Sequence, residues 1–244
     1  QIKTLRVFVG WLYIEKIQKL IEKYGAETYN KLKEPIFFIN EIIGFKDEPY
    51  KLTNYQEEWL RLVDGTDYDR FNFAAFRSSS KTETLLIDYP IFKAFTQTGW
   101  QGIITSNSQK QSISILRRIR ETILGNEILR TSVPSAKEGL WSKTELQLKN
   151  GSIIWSKPRN ENLPGEHVNY VGNDETGYEK YMDVVTKIIP PMVVAKKGKI
   201  VWIGTTVSKI DVIHQLKKNS AYLTKWYPAN LKYEGKTLWE WRYP

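Results

Sequence analysis

The strongest constraint on the fold is a series of short apolar runs, each ending in polar residues and separated by stretches of helical spacing. Phe71-Asn72-Phe73-Ala74-Ala75-Phe76, Gly102-Ile103-Ile104-Thr105, the segment Val168 to Val171, and Ile200-Val201-Trp202-Ile203 read as strands. Between the first two, a helix is expected to start near Lys81 and run through Leu85, Leu86 and Ile87, with Pro90 kinking or ending it. Gln109 to Leu124 reads as an amphipathic helix stopped by Gly125. Strands that alternate with helices argue for an α/β fold built on a mainly parallel sheet.

Other elements fill in around this frame. Residues 3–33 have helical spacing, and Pro35 and the Pro49 region close that section. Thr53 or Asn54 caps a short helix through Leu60, with Glu57 and Glu58 in its first turn. Glu145 to Lys149, then Asn150-Gly151, then Ser152 to Trp155 predicts a hairpin with a type I′ turn. Asp211 to Lys218 reads as a short helix and Leu223 to Tyr227 as a strand.

Composition excludes several chemistries. The chain has no cysteine, so it has no disulfide framework, thiolate metal site or cysteine nucleophile. Only two histidines occur, His167 and His214, which argues against a histidine-rich zinc or iron centre. No window is long and apolar enough for a membrane helix. The stretch Val7 to Ile14 lacks a signal-peptide cleavage site, and the first residue is Gln1, so the sequence is read as a piece of a longer chain. A formal charge of +9 suggests an anionic partner, nucleic acid most often, against the alternative of a merely solvated surface. The surplus gathers at Arg117, Arg118 and Arg120 and in a Lys-rich run from Lys209 to Lys236.

Three strand ends carry chemical groups. The first strand leads into Ala75-Phe76-Arg77-Ser78-Ser79-Ser80-Lys81-Thr82 and then a helix. In that setting loop N–H groups and a helix N-terminus hold an anion. Lys81 would reach β- and γ-phosphates and the Thr82 hydroxyl would ligate Mg²⁺. The strict pattern G-x-x-x-x-G-K-[ST] is not met, because Ala75 and Ser80 stand where glycines are usual and give up easy access to positive φ. The plainer alternative is a helix N-cap followed by a surface lysine.

The second end is Val168-Asn169-Tyr170-Val171-Gly172-Asn173-Asp174-Glu175, where adjacent carboxylates follow a strand. One suits a Mg²⁺ ion and the other an attacking water, against the alternative of an exposed acidic loop. The third is Val201-Trp202-Ile203-Gly204-Thr205-Thr206, which presents two hydroxyls fit to sense a γ-phosphate or simply to cap a turn. Ligands of open α/β sheets bind at the carboxyl edge, where all three ends would lie.

This ordered set resembles the ATPase domain of the large terminase subunit of tailed phages, the motor that packages DNA into a procapsid. The resemblance covers roughly residues 50–210. Arg77 stands four residues before Lys81, as in terminase phosphate loops; Asp174-Glu175 matches the Walker B aspartate and the catalytic glutamate that follows it; Gly204-Thr205-Thr206 matches the coupling motif. Tyr55-Gln56 occupies the place of the adenine-recognising glutamine.

What the resemblance implies is a RecA-like P-loop NTPase of the ASCE type, with a mainly parallel twisted sheet sandwiched by helices. ATP and Mg²⁺ are the implied cofactors. The adenine would lie by Tyr55 and Gln56; Arg77, Ser78, Ser79, Ser80 and Lys81 would hold phosphates; Thr82 and Asp174 would hold the metal; Glu175 would orient water; Thr205 and Thr206 would report the nucleotide state. The family often offers an arginine finger from an Arg-Gly pair shortly before Walker B. Here that place reads Pro164-Gly165, and Arg159 is the nearest upstream arginine, with Arg117, Arg118 and Arg120 as competitors.

The implied organisation is an N-terminal helical extension over 1–50, an ATPase core over 51–210, and the end of that domain with the start of a linker over 211–244. After Thr206 only Asp211, Glu234 and Glu240 remain, too few acids for the family's nuclease. Implied partners are double-stranded DNA, the portal protein, the small terminase subunit and further copies in a homo-oligomeric ring, read as a pentamer. The implied place is the host cytoplasm, docked on the viral procapsid, with no membrane. Two rival readings remain. A superfamily 2 helicase fragment would need Asp-Glu-x-His/Asp where the chain has Asp174-Glu175-Thr176-Gly177, and a second lobe. A non-enzymatic nucleic-acid-binding domain would stack bases on its Trp and Tyr side chains.

Overall fold

The computed structural model describes residues 21–44, 51–135, 141–160, 163, 166–174, 183–205, 209 and 211–228. Glu175, Thr206, Pro164-Gly165, the first part of the helical stretch 3–33 and most of the Lys-rich run after Lys225 lie outside these residues.

Seven strands form one sheet: β1 Arg70–Ala75, β2 Gln101–Ser106, β3 Glu145–Gln147, β4 Ile153–Pro158, β5 Tyr170–Asn173, β6 Lys199–Gly204 and β7 Leu223–Tyr227. Their order is β3-β4-β2-β5-β6-β1-β7. Among the described residues only β3 is antiparallel to its neighbour; every other pair is parallel. The sheet is therefore the mainly parallel one expected. It extends past residue 210, because β7 pairs with β1.

Helices cover both faces. They are α1 Thr28–Lys31, α2 Pro35–Phe38, α3 Asn54–Gly65, α4 Tyr89–Thr96, α5 Gln109–Gly125, α6 Ile189–Val194 and α7 Val212–Leu216. Side chains alternate across each strand. Phe71, Phe73, Ile104, Tyr170, Val201 and Ile203 enter one core with α2, α3, α4 and α5. Ile103, Val171, Ile200 and Trp202 enter a second core with α6 and α7. Phe38 and Ile39 of the N-terminal section are fully buried in the first core.

The helical section through residue 33 closes before Pro35, with α1 ending at Lys31. Pro35 then opens α2, since a proline at the first helical position loses only an N–H that has no partner. Pro90, expected to kink or end its helix, does not end it. The π-helical segment Thr82–Asp88 precedes it, and α4 continues through it to Thr96. The same order recurs where π-helical Val184–Ile188 meets Pro190 and Pro191 in α6. A proline lacks the N–H and crowds the carbonyl one turn back, and widened turns before it relieve both.

The β3–β4 hairpin forms, but not with a type I′ turn. Gly151 has φ +79° while Asn150 does not have positive φ. Gly151 N donates to Leu148 O at 2.9 Å and Leu148 N to Ser152 O at 2.8 Å. That is a type I turn closed by a glycine bulge, the three-residue solution. At β5, a Cβ on Gly172 would come within 2.5 Å of Leu86 Cδ2, so glycine lets the strand meet the π-helical segment. No helix among the described residues is long and apolar enough to cross a membrane.

Candidate functional site

Strand register brings the three chemical segments to one edge. Thr105 lies beside Asn173, Asn173 beside Trp202, and Ala74 beside Gly204. The residues that follow these strands therefore leave from the same carboxyl edge.

The loop after β1 turns on serines. Ser78 has φ +60° and Ser80 φ +59°. Left-handed residues in a tight loop gather N–H groups into an anion-binding concavity. Ser80 thus adopts the conformation for which glycine is usual, while Ala75 needs no such freedom because it is the last residue of β1. Ser79 N donates to Phe76 O at 3.3 Å, and Thr84 N to Ser80 O at 2.9 Å starts the helix. Arg77 and Ser78 are exposed, and Ser79 is fully buried.

The side chains expected to act together do meet. Lys81 Nζ donates to Phe76 O at 3.2 Å and to Thr205 Oγ1 at 3.1 Å. Thr205 Oγ1 donates in turn to Ala75 O at 3.0 Å. Thr82 Oγ1 donates to Asp174 Oδ1 at 3.3 Å. Loop, carboxylate and third strand end form one connected cluster. Its donor set suits the implied ligands: a hydroxyl and a carboxylate are hard oxygens for Mg²⁺, and an ammonium beside a left-handed loop suits phosphate.

Tyr55 and Gln56 reach the loop from below. Gln56 is fully buried at the third position of α3, where its Oε1 accepts from Thr53 N at 2.8 Å in a capping box. Gln56 Nε2 and Tyr55 Oη both donate to Ser79 O, at 3.4 and 3.3 Å. The Tyr55 ring packs against Trp59, Phe76 and Tyr227. Both side chains brace the loop from inside the protein rather than lining an open cleft.

Arg159 is also placed inward, with 1% of its surface exposed. Asn107 Oδ1 and Asp174 O accept from its guanidinium, the latter at 3.2 Å. The surface arginines of α5 are engaged as well: Arg117 with Glu121, Arg118 with Glu83, and Arg120 with Ser142 O and the Trp141 ring.

Three residues not singled out from the sequence complete the edge. Thr105 Oγ1 donates to Asn173 Oδ1 at 2.7 Å, Thr105 O accepts from Asp174 N at 2.9 Å, and Asn107 holds Arg159. For Thr105 and Asn107 the signal was present: β2 ends in Thr105-Ser106 and leads into Asn107, an apolar run turning polar like the other strand ends. Farther along, Asp88 is buried in the π-helical segment, and desolvation pushes its carboxyl up to about 8. Tyr170, donating to Leu85 O at 2.7 Å, is raised well above the usual phenol range by burial.

No family model matches the sequence, and no curated protein matches it. Solved structures do. The large terminase of bacteriophage HK97 matches with a TM-score of 0.62 at 15% identity, over 82% of this chain and 44% of that one. The large terminase ATPase domain of Thermus phage P74-26 matches with a TM-score of 0.58 at 18% identity, over 79% of this chain and 84% of that one. The chain has the fold of a phage large terminase ATPase domain. It spans less than half of the HK97 large terminase but most of the isolated P74-26 ATPase domain.

Proposed function

We propose that this chain is the ATP-hydrolysing motor domain of a DNA-packaging terminase, driving double-stranded viral DNA into a procapsid. The observation that carries this reading is the cluster Lys81–Thr205 and Thr82–Asp174 at the carboxyl edge of a terminase-like sheet. Arg77, the N–H groups of Ser78, Ser79 and Ser80, and Lys81 hold the phosphates of ATP. Tyr55 and Gln56 stand at the adenine end, where Gln56 meets the base only by giving up its bond to Ser79 O. Thr82 and Asp174 would hold Mg²⁺, whose charge offsets that of the phosphate oxygens. Glu175 orients a water for in-line attack on the γ-phosphate. Thr205 loses or keeps its bond to Lys81 according to whether a γ-phosphate is present, and Thr206 extends that response.

In this proposal residues 1–50 form an extension on the core, and 211–244 end the domain and begin a linker. Copies assemble into a ring, a pentamer, with the portal protein and small terminase subunit, on a procapsid in the host cytoplasm. Basic side chains grip the DNA backbone, so binding weakens steeply with salt.

Phosphate release from ATP, with and without Mg²⁺ and double-stranded DNA, tests the reading. The wild-type chain hydrolyses ATP slowly and only with Mg²⁺. Glu175→Gln keeps nucleotide binding and loses turnover by about 10²- to 10⁴-fold, the usual worth of a positioned base. Normal hydrolysis by Glu175→Gln would remove Glu175 from the mechanism.

A further inference from the structure

We propose that Arg159 is a positioning residue acting within its own subunit: it fixes the main chain that carries Asp174 at the site. This rests on the proposed ATPase reading for its effect on turnover, but not for its effect on the chain.

Arg159 follows β4, the strand beside β2. Its main-chain N donates to Ser106 O at 3.1 Å. From there the side chain runs across the ends of the neighbouring strands. It meets Asn107 after β2 and Asp174 O after β5, and its guanidinium carbon lies 5.3 Å from the centre of the Trp202 ring in β6. β4, β2, β5 and β6 are consecutive in the sheet, so one side chain ties four strand ends together. A buried guanidinium needs acceptors or a π-face to offset its desolvation, and it has both here. Its planar fork can serve Asn107 and Asp174 at once; a lysine ammonium has no such fork.

The choice of acceptor matters. Asp174 N already donates to Thr105 O at 2.9 Å, and Arg159 takes the carbonyl. Both main-chain polar groups of Asp174 are thereby held, while its carboxylate accepts from Thr82. That carbonyl belongs to the planar peptide whose other end is the Glu175 nitrogen. Holding its oxygen fixes that peptide plane and so the placement of Asp174. Displacements of about 1 Å in such a group cost on the order of 10²-fold in rate. With 1% exposure, Arg159 would have to abandon every one of these contacts to reach a neighbouring subunit.

The test uses Arg159→Gln, Arg159→Lys and Asn107→Ala, the last at an exposed residue that keeps the experiment open should the Arg159 variants not fold. Amide exchange over residues 170–180 is measured without nucleotide, and single-turnover hydrolysis and fluorescent-ATP affinity with Mg²⁺. Expected are faster exchange over 170–180, a turnover loss of about 10- to 100-fold, and an affinity within about threefold of wild type. Arg159→Lys and Asn107→Ala fall between wild type and Arg159→Gln.

Unchanged exchange over 170–180 in folded variants overturns the proposal. So does a loss confined to affinity. Recovery of Arg159→Gln turnover on mixing with Lys81→Ala chains overturns it too, because those chains supply Arg159 only in trans. If the wild type itself hydrolyses no ATP, the ATPase reading falls, and the exchange result alone still decides whether Arg159 fixes the peptide.

Discussion

The two ends of this sheet carry the same residue types and use them differently. At the amino edge, Lys93 pairs with Asp64 at 2.9 Å, Tyr89 Oη donates to Asp64 at 3.1 Å, and Lys199 Nζ donates to Thr66 O and Tyr68 O at 2.7 and 2.6 Å. These cations fasten the chain that enters β1 and β6. At the carboxyl edge, Lys81 bonds a main-chain carbonyl and a hydroxyl, and Asp174 accepts from another hydroxyl. These partners belong to the loop and strand ends around one cleft edge, whereas Lys93 and Lys199 are spent on the chain leading into β1. A lysine at a strand end is thus informative through what it touches, not through its presence.

The comparison can be broken by substitution at each end. The largest effect is expected for Lys81→Ala: nucleotide affinity falls by at least about 100-fold, roughly 2.7 kcal/mol, with little change in thermal stability. Fluorescent-ATP titration and calorimetry read the two quantities. Affinity within threefold of wild type would make the carboxyl edge no different from the other.

Asp64→Ala is the mirror experiment. It strands Lys93 and the Tyr89 hydroxyl, whose partners are mostly buried, and should cost about 2–3 kcal/mol in urea unfolding. Nucleotide affinity stays put.

Asp88 lies in the helical stretch that joins the two edges. Burial raises its carboxyl to about 8 from an ordinary 3.8. Between those values the folded chain keeps a proton that the unfolded chain has lost, so stability falls as pH rises through that window. The slope approaches about 1.4 kcal/mol per pH unit. Asp88→Asn should flatten it between pH 5 and 7; an equal slope in both proteins would place the dependence elsewhere.

The smallest effect concerns the loop itself. Ser80→Gly relieves a left-handed serine and should stabilise the fold by about 1 kcal/mol, a rise of roughly 2–4 °C in Tm. A fall would mean that the Ser80 side chain is worth more than its strain.

These regions also differ in how far the sequence revealed them. Strand ends were legible, because apolar runs that turn polar mark where a buried strand meets the edge. That Lys81, Thr82, Asp174 and Thr205 lie at one edge was expected from this and the parallel topology; the bond between Lys81 and Thr205 was not. The serine loop was misjudged on one point: Ser80 takes the positive φ that its lack of glycine argued against, because neighbouring bonds over-determine it.

Gln56 could not be placed from sequence. Its Thr53 partner is local, but its contact to Ser79 depends on how α3 lies under the loop. The arginines were illegible for the same reason. Arg118 meets Glu83 and Arg159 meets Asp174, partners far along the chain. A charge cluster on a helix looks the same whether its partners are solvent, DNA or a distant carboxylate.

The most direct measurement is the melting temperature with ATP and Mg²⁺ against ATP with chelator, for wild type and Lys81→Ala. At about 100 times the dissociation constant, binding adds roughly 2.7 kcal/mol, so the wild type should melt about 5–10 °C higher with Mg²⁺ and ATP. Lys81→Ala, with affinity at least about 100-fold weaker, should move by no more than about 1–2 °C. An unmoved wild type, or an equal shift in both proteins, would contradict the assignment of this edge as an ATP site.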